Sequence, residues 1–142
     1  MSTRWRAAWR RRHLIAEAGI ALMRARLTVL VRRGSRLAAV LGEPVSEAAA
    51  TPLSPQQLAQ AREVGWAIEL LAVRGPLRTA CLGQALAARA LLQRREIPCV
   101  LTLGLGRHDH SHLRAHAWLR AGNLTITGGR GRSAFSPVAG FH

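Results

Sequence analysis

Two side chains in this sequence can together carry out nucleophilic chemistry, the thiol of Cys81 and the imidazole of His116. A thiolate attacks acyl carbons, and a neighbouring imidazole can take up the thiol proton and return it to a leaving group. Cys81 follows Arg78-Thr79-Ala80, and if Thr79 caps a helix there, the sulfur falls in the first turn. Unpaired backbone amides and the helix dipole favour a thiolate at such a position, and Arg78 adds positive charge. The Cys81 backbone amide can also donate to the oxyanion of a tetrahedral intermediate. His116 stands directly before Ala117 and Trp118 in a run that reads as a strand, and a strand histidine facing a helix start is one way to pair base with thiol. Taken singly, a cysteine at a helix start is more often a small packed residue, and a strand histidine more often a core or surface side chain. The combination points to acyl chemistry.

Other residues admit a chemical and a plain reading. His108, His110 and His112 alternate, so on an extended segment they would point one way and could hold Zn²⁺ or Ni²⁺. A solvated loop is the preferred reading, and neither a metal nor any other cofactor is expected. Trp118 shares a strand face with His116 and either lines a substrate groove or packs in the core. Cys99, following Pro98 at a strand start, reads as packing.

The elements that must hold these groups are legible as helices followed by strands. Ser54-Pro55 is an N-cap with proline at the first helical position, and Leu58, Ala61, Val64, Ile68 and Leu71 mark one buried stripe until Gly75-Pro76. A further helix runs from about Ala80 to Arg95, with Leu82, Leu86, Ala90 and Leu91 inward, and Pro98 forbids its continuation. Beyond Pro98 the period changes. Cys99 to Leu105, Ala115 to Arg120 and Asn123 to Thr127 read as three short strands, the last two joined through Ala121-Gly122-Asn123 as a hairpin. The glycines at 128, 129 and 131 release the chain into a tail, and Gly42 to Ser54 reads as a connecting loop. Helices before an antiparallel sheet define an α+β fold.

A chain of 142 residues, nearly half of them apolar, can bury one core, so residues 1–142 are read as a single domain. Twenty-one arginines face seven acidic residues, a net charge of +14 that favours an acidic partner. The basic N-terminal segment, about residues 4–33, is read as an amphipathic helix. Its apolar side is formed by Leu14, Ala18, Leu22, Leu27 and Leu30, with Arg10, Arg11, Arg12, Arg24, Arg32 and Arg33 around it and Gly34-Ser35 as its stop. Glu17, Arg24 and Arg26 interrupt it too often for a bilayer span, and no small-residue cleavage site follows. The helix is expected to pack on its own domain; docking of a precursor complex or a peripheral membrane contact is the functional alternative. Two thiols without a secretory signal indicate a reduced, cytoplasmic protein.

The runs Cys81-Leu82-Gly83-Gln84-Ala85-Leu86, Leu91-Leu92-Gln93-Arg94-Arg95-Glu96-Ile97-Pro98, Leu103-Gly104-Leu105-Gly106 and Ala115-His116-Ala117-Trp118-Leu119 resemble the transglutaminase-like cysteine peptidases that mature lasso peptides. The closing Phe135-Ser136-Pro137-Val138 is similar as well. The resemblance covers the second half and implies a papain/transglutaminase-like core. It also implies the standalone B protein, a leader peptidase with a separate leader-recognition protein. Its substrate would be a ribosomally made precursor peptide, and a partner cyclase would then form the macrolactam. In that family Cys81 matches the nucleophile and His116 the histidine of the His-Ala-Trp motif, while an orienting acid lies about a dozen residues beyond the histidine, here near Gly128. The chain's one aspartate, Asp109, precedes the histidine; Asn123, Thr125 and Thr127 offer neutral orienting groups instead, which suffice to fix a tautomer.

Two rival readings remain open at the level of sequence. A transglutaminase-like acyl transferase would use the same dyad and pass the acyl group to an amine. A nucleic-acid or anionic-surface binder would explain the charge, but aromatics are sparse and no recognised binding motif is present, so nucleic acid is not expected as a partner.

Overall fold

The computed structural model describes residues 3–32, 35–42, 44–46, 51–107, 109 and 112–142. Four helices, α1 (Thr3–Val31), α2 (Ser35–Leu41), α3 (Pro55–Ala72) and α4 (Cys81–Arg94), precede most of the sheet. The strands are β1 (Pro44–Val45), β2 (Val100–Arg107), β3 (Leu113–Ala121), β4 (Leu124–Thr127) and β5 (Ser136–Phe141), with a 3₁₀ turn at Arg132–Ala134. All pairings are antiparallel, in the order β1-β5-β2-β3-β4, so the fold is α+β as the sequence indicated.

Local chemistry explains the helix ends. Ser54 closes a reciprocal capping box with Gln57, and Pro55 starts α3 where a missing N–H costs nothing. α3 ends at Ala72, three residues before Gly75. The start of α4 differs from expectation by one residue. Ala80 is its N-cap and lacks a side-chain hydrogen bond, because the Thr79 hydroxyl donates to Leu77 O at 2.7 Å and is committed there.

α3 and α4 pack on one face of the sheet, and α1 packs across α3 and α4. Leu14, Ala18 and Leu22 of α1, Val64 and Ile68 of α3, and Leu91 and Leu92 of α4 meet Leu101, Ala117 and Leu119 in one core. Cys99 is buried in the same core, which agrees with a packing role. The register Leu101↔Leu119 and Leu103↔Ala117 sets these residues toward the helices. By alternation His116 and Trp118 point to the other face, where Phe135 stacks on the imidazole at 4.9 Å and the Arg132 guanidinium covers the indole at 5.6 Å. Gly104, opposite His116, is required there: a Cβ would come within 2.6 Å of the Trp118 ring and 3.1 Å of Phe135.

Two segments differ from the sequence reading. The tail contains β5, which pairs with both β2 and β1, and the connecting loop contributes Pro44–Val45 as β1. Pro137 is tolerated because β1 reaches only Gly140 and Phe141, leaving the Pro137 stretch of β5 with an open edge beside a register shift at Leu103/Gly104. On α1, Leu27 and Leu30 turn away from the core, and the inward side is completed by Ala25. The helix ends at Val31; Gly34, one of its expected stops, lies outside the described residues, and Ser35 begins α2.

α2 is anchored by a buried cation. Arg89, 6% exposed, donates from Nη1 to Leu41 O and from Nη2 to Val40 O at 2.7 Å, and Nη1 also reaches His142 O at 3.3 Å. Burial lowers its pKa from the usual arginine value, opposed by the proximity of Cys99. At the other end of the helix layer, Glu17 accepts from Arg95 Nη2 at 2.6 Å. That bond is the main reason the Glu17 carboxyl sits below its ordinary value.

Candidate active site

Cys81 is the first residue of α4, so its backbone N–H and those of Leu82 and Gly83 precede the first intrahelical donor, Gln84 N, which bonds Ala80 O at 3.0 Å. Gly83 lies where a Cβ would collide with Thr79 Cγ2, which lets the preceding turn pack closely on the helix start. The Gln84 side chain donates back to Thr79 O at 2.6 Å and ties that turn to the helix.

His116 sits on β3 where the sheet is incomplete. The β3–β4 ladder stops at Leu119↔Thr127, so the strand edge beside His116 carries no partner strand. The chain leaving β4 folds over this edge at Gly128, whose φ of +72° and close approach to β3 both demand glycine. A Cβ there would overlap Ala117 O and stand 2.9 Å from Trp118 Cα. That approach sets Gly128 O 2.7 Å from His116 Nε2. A carbonyl can only accept, so Nε2 carries the proton and, in the neutral ring, Nδ1 keeps its lone pair.

A cavity of about 400 Å³ opens at this edge, and Cys81, Gln84, His116, Thr127 and Gly128 all line it. Ile68 and Ile126 supply apolar wall, and Glu69 stands at its side between two arginines, 3.2 Å from Arg74 and 3.7 Å from Arg130. Cys81 is half-buried. No hydrogen bond joins its sulfur to the His116 ring among the described residues; the two residues share the lining of this cavity at the open sheet edge, Cys81 from the helix side and His116 from the strand.

The other expected site residues are distributed differently. Asp109 lies in an exposed turn and holds His112, accepting from its backbone N at 2.9 Å and meeting its Nδ1 at 3.0 Å; the His116 ring bonds Gly128 instead. Among the described residues no bond joins Asp109 to His116. His108 and His110 lie outside the described residues. Asn123 is exposed in the β3–β4 turn, away from the cavity wall. Thr127 is on that wall and only 6% exposed, and its Oγ1 has no hydrogen-bond partner among the described residues, the imidazole included. Thr125 accepts from Arg132 Nη1 at 3.0 Å. Trp118 is 1% exposed and supports His116 from below, ring centroids 5.9 Å apart, as a packed residue and not a groove lining. Reading side chains alone missed the Gly128 carbonyl, Gln84 and Glu69. The glycine pair at 128–129, a dozen residues past the histidine, was the available signal.

A family model described as the transglutaminase-like superfamily matches residues 21–140. No match was found among curated proteins or among solved structures.

Proposed function

Because the chain belongs to the transglutaminase-like superfamily, whose activities are of the cysteine peptidase or acyltransferase type, we propose that it is a cysteine peptidase with Cys81 as nucleophile and His116 as base. The observation that carries this reading is the bond from His116 Nε2 to Gly128 O, which leaves Nδ1 as a base on the wall of the cavity that Cys81 also lines.

The reaction follows from those positions. Nδ1 takes the Cys81 proton and the thiolate attacks the scissile carbonyl carbon, while charge on the oxygen is met by the free backbone amide of Cys81. The imidazolium then protonates the departing amine, and water, deprotonated by the same nitrogen, hydrolyses the thioester and regenerates the thiol. Throughout, the Gly128 carbonyl holds the ring in one tautomer. Proton transfer requires the thiol and the imidazole to come within hydrogen-bond reach once substrate is bound.

The substrate is the precursor of a lasso peptide, cleaved after its leader so that a partner cyclase can close the macrolactam; a separate protein recognises the leader. The motif runs around Cys81 and His116 support this assignment. Incubating the protein with precursor peptides, with and without a recognition protein, and weighing the products tests it. Leader and core as separate hydrolysed species, absent with Cys81→Ala, are expected. A product carrying a new amide to an amine would identify an acyl transferase instead, and cleavage that persists in Cys81→Ala would remove the peptidase reading.

A further inference from the structure

α1 carries two apolar sides. At about 100° per residue, Leu14, Ala18, Leu22 and Ala25 fall within an arc of about 80° that faces the core. On the opposite side, Trp5, Trp9, Ile20, Met23, Leu27 and Leu30 occupy a second arc of about 80°. All six are between 46% and 72% exposed. Trp5 and Trp9 are four residues apart and Ile20, Met23, Leu27 and Leu30 follow at three- and four-residue steps, with Ala16 on the same side in the interval between the two groups, along about 38 Å of helix. Arg12 and Arg26 border this outward stripe on one edge and Arg6 and Arg24 on the other, all exposed.

We infer that this face of α1 docks in the plane of an anionic lipid surface. The single acidic residue of the helix, Glu17, is turned inward to Arg95, so nothing on the outward side offsets the arginines. A second copy laid on the stripe would set arginines against arginines along both borders, whereas acidic headgroups complement them. The paired tryptophans near the start, exposed beside Arg4, Arg6 and Arg10, suit the headgroup layer, where an apolar ring and a polar N–H are both accommodated. No described helix is long and apolar enough to cross a membrane, so contact is along the surface. The stripe lies opposite the α1 side that packs on the domain, so the folded body remains in water while it is engaged.

The full chain is mixed with vesicles of phosphatidylcholine alone or with phosphatidylglycerol, sedimented, and followed by tryptophan emission. Expected is binding to the anionic vesicles with a blue shift, weakened at least about tenfold by added salt, by Arg6, Arg12, Arg24 and Arg26 changed to Gln, and by Trp5→Ser with Trp9→Ser. Circular dichroism establishes that these exposed changes leave the fold intact. No binding to anionic vesicles, binding unaffected by the stripe changes, or equal binding to neutral vesicles overturns the inference. So does light scattering that shows a dimer in solution dissolved by the tryptophan changes, since the stripe would then be a protein interface. Cys81→Ala binds vesicles like the parent chain, which keeps this result separate from the peptidase reading.

Discussion

The Gly128 carbonyl oxygen lies 2.7 Å from Nε2 of His116, twelve residues earlier in the chain, so the imidazole is held by a backbone acceptor and not by a second side chain. A backbone acceptor cannot be exchanged by substitution, but its position can. Gly128→Ala forces a Cβ against Ala117 O and the Trp118 backbone at a left-handed φ, so the carbonyl must move. The expected result is a loss of about a hundredfold in kcat for precursor cleavage, from misplacement of the base. Retention of full kcat would show that the Gly128 contact does not orient His116.

Cys81 and His116 are expected to act as a unit. Cys81→Ala and His116→Gln should each lower cleavage by a similar factor, roughly a thousandfold or more, and the double variant should be little worse than either. Single-turnover rates on one precursor measure this; multiplicative losses would separate the two roles.

The two thiols should differ sharply toward alkylation. Cys99 is buried, and that burial pushes its thiol up to about 11 although Arg89 opposes the shift. Cys81 is half-buried on a cavity wall. Iodoacetamide on the folded protein near neutral pH should modify Cys81 alone, with Cys99 reacting only after denaturation, as peptide mass mapping will report.

The same raised value makes Cys99 an alkaline liability. An acid group with a higher pKa folded than unfolded leaves stability unchanged below about pH 9 and reduces it as pH rises toward about 11, by roughly 2–3 kcal/mol in total. Urea denaturation at pH 8 and pH 11 should show that loss in the parent chain, and a smaller one in Cys99→Val.

Arg89 holds three backbone carbonyls from within the core. Arg89→Met strands them where water is scarce and should cost roughly 2–4 kcal/mol, read as a lower urea midpoint. Precursor cleavage by the folded fraction should change little, since Arg89 does not line the Cys81 cavity.

Much of the site was legible because its signals are local. Pro98 and the apolar spacing after Cys81 define α4 within two residues, and the change of period after Pro98 defines the strand carrying His116. What escaped depends on tertiary partners. Thr79 is a good capping residue by type, but its hydroxyl is satisfied by Leu77 O, so Ala80 takes the cap. Pro137 and the preceding glycines hide β5, which exists only because β2 offers it an edge. Leu27 and Leu30 fit a helical period, yet α1 has apolar residues on both sides, and periodicity cannot say which side meets the core. The Gly128 contact is a backbone property with no residue type to announce it.

The strand order also governs how the molecule must assemble. β2, β3 and β4 are sequential neighbours and can zip together from the Gly122-Asn123 turn, as can helix pairs close in sequence. Pro44, however, pairs with Phe141, so joining β1 to β5 closes a loop that holds most of the chain. That closure is non-local and entropically expensive, and it should come last. Refolding from urea should therefore show early protection of amides in α4 and the β2–β4 meander, with Val45 and Phe141 protected in the slowest phase. Simultaneous protection of all five strands would show that the sheet forms in a single step.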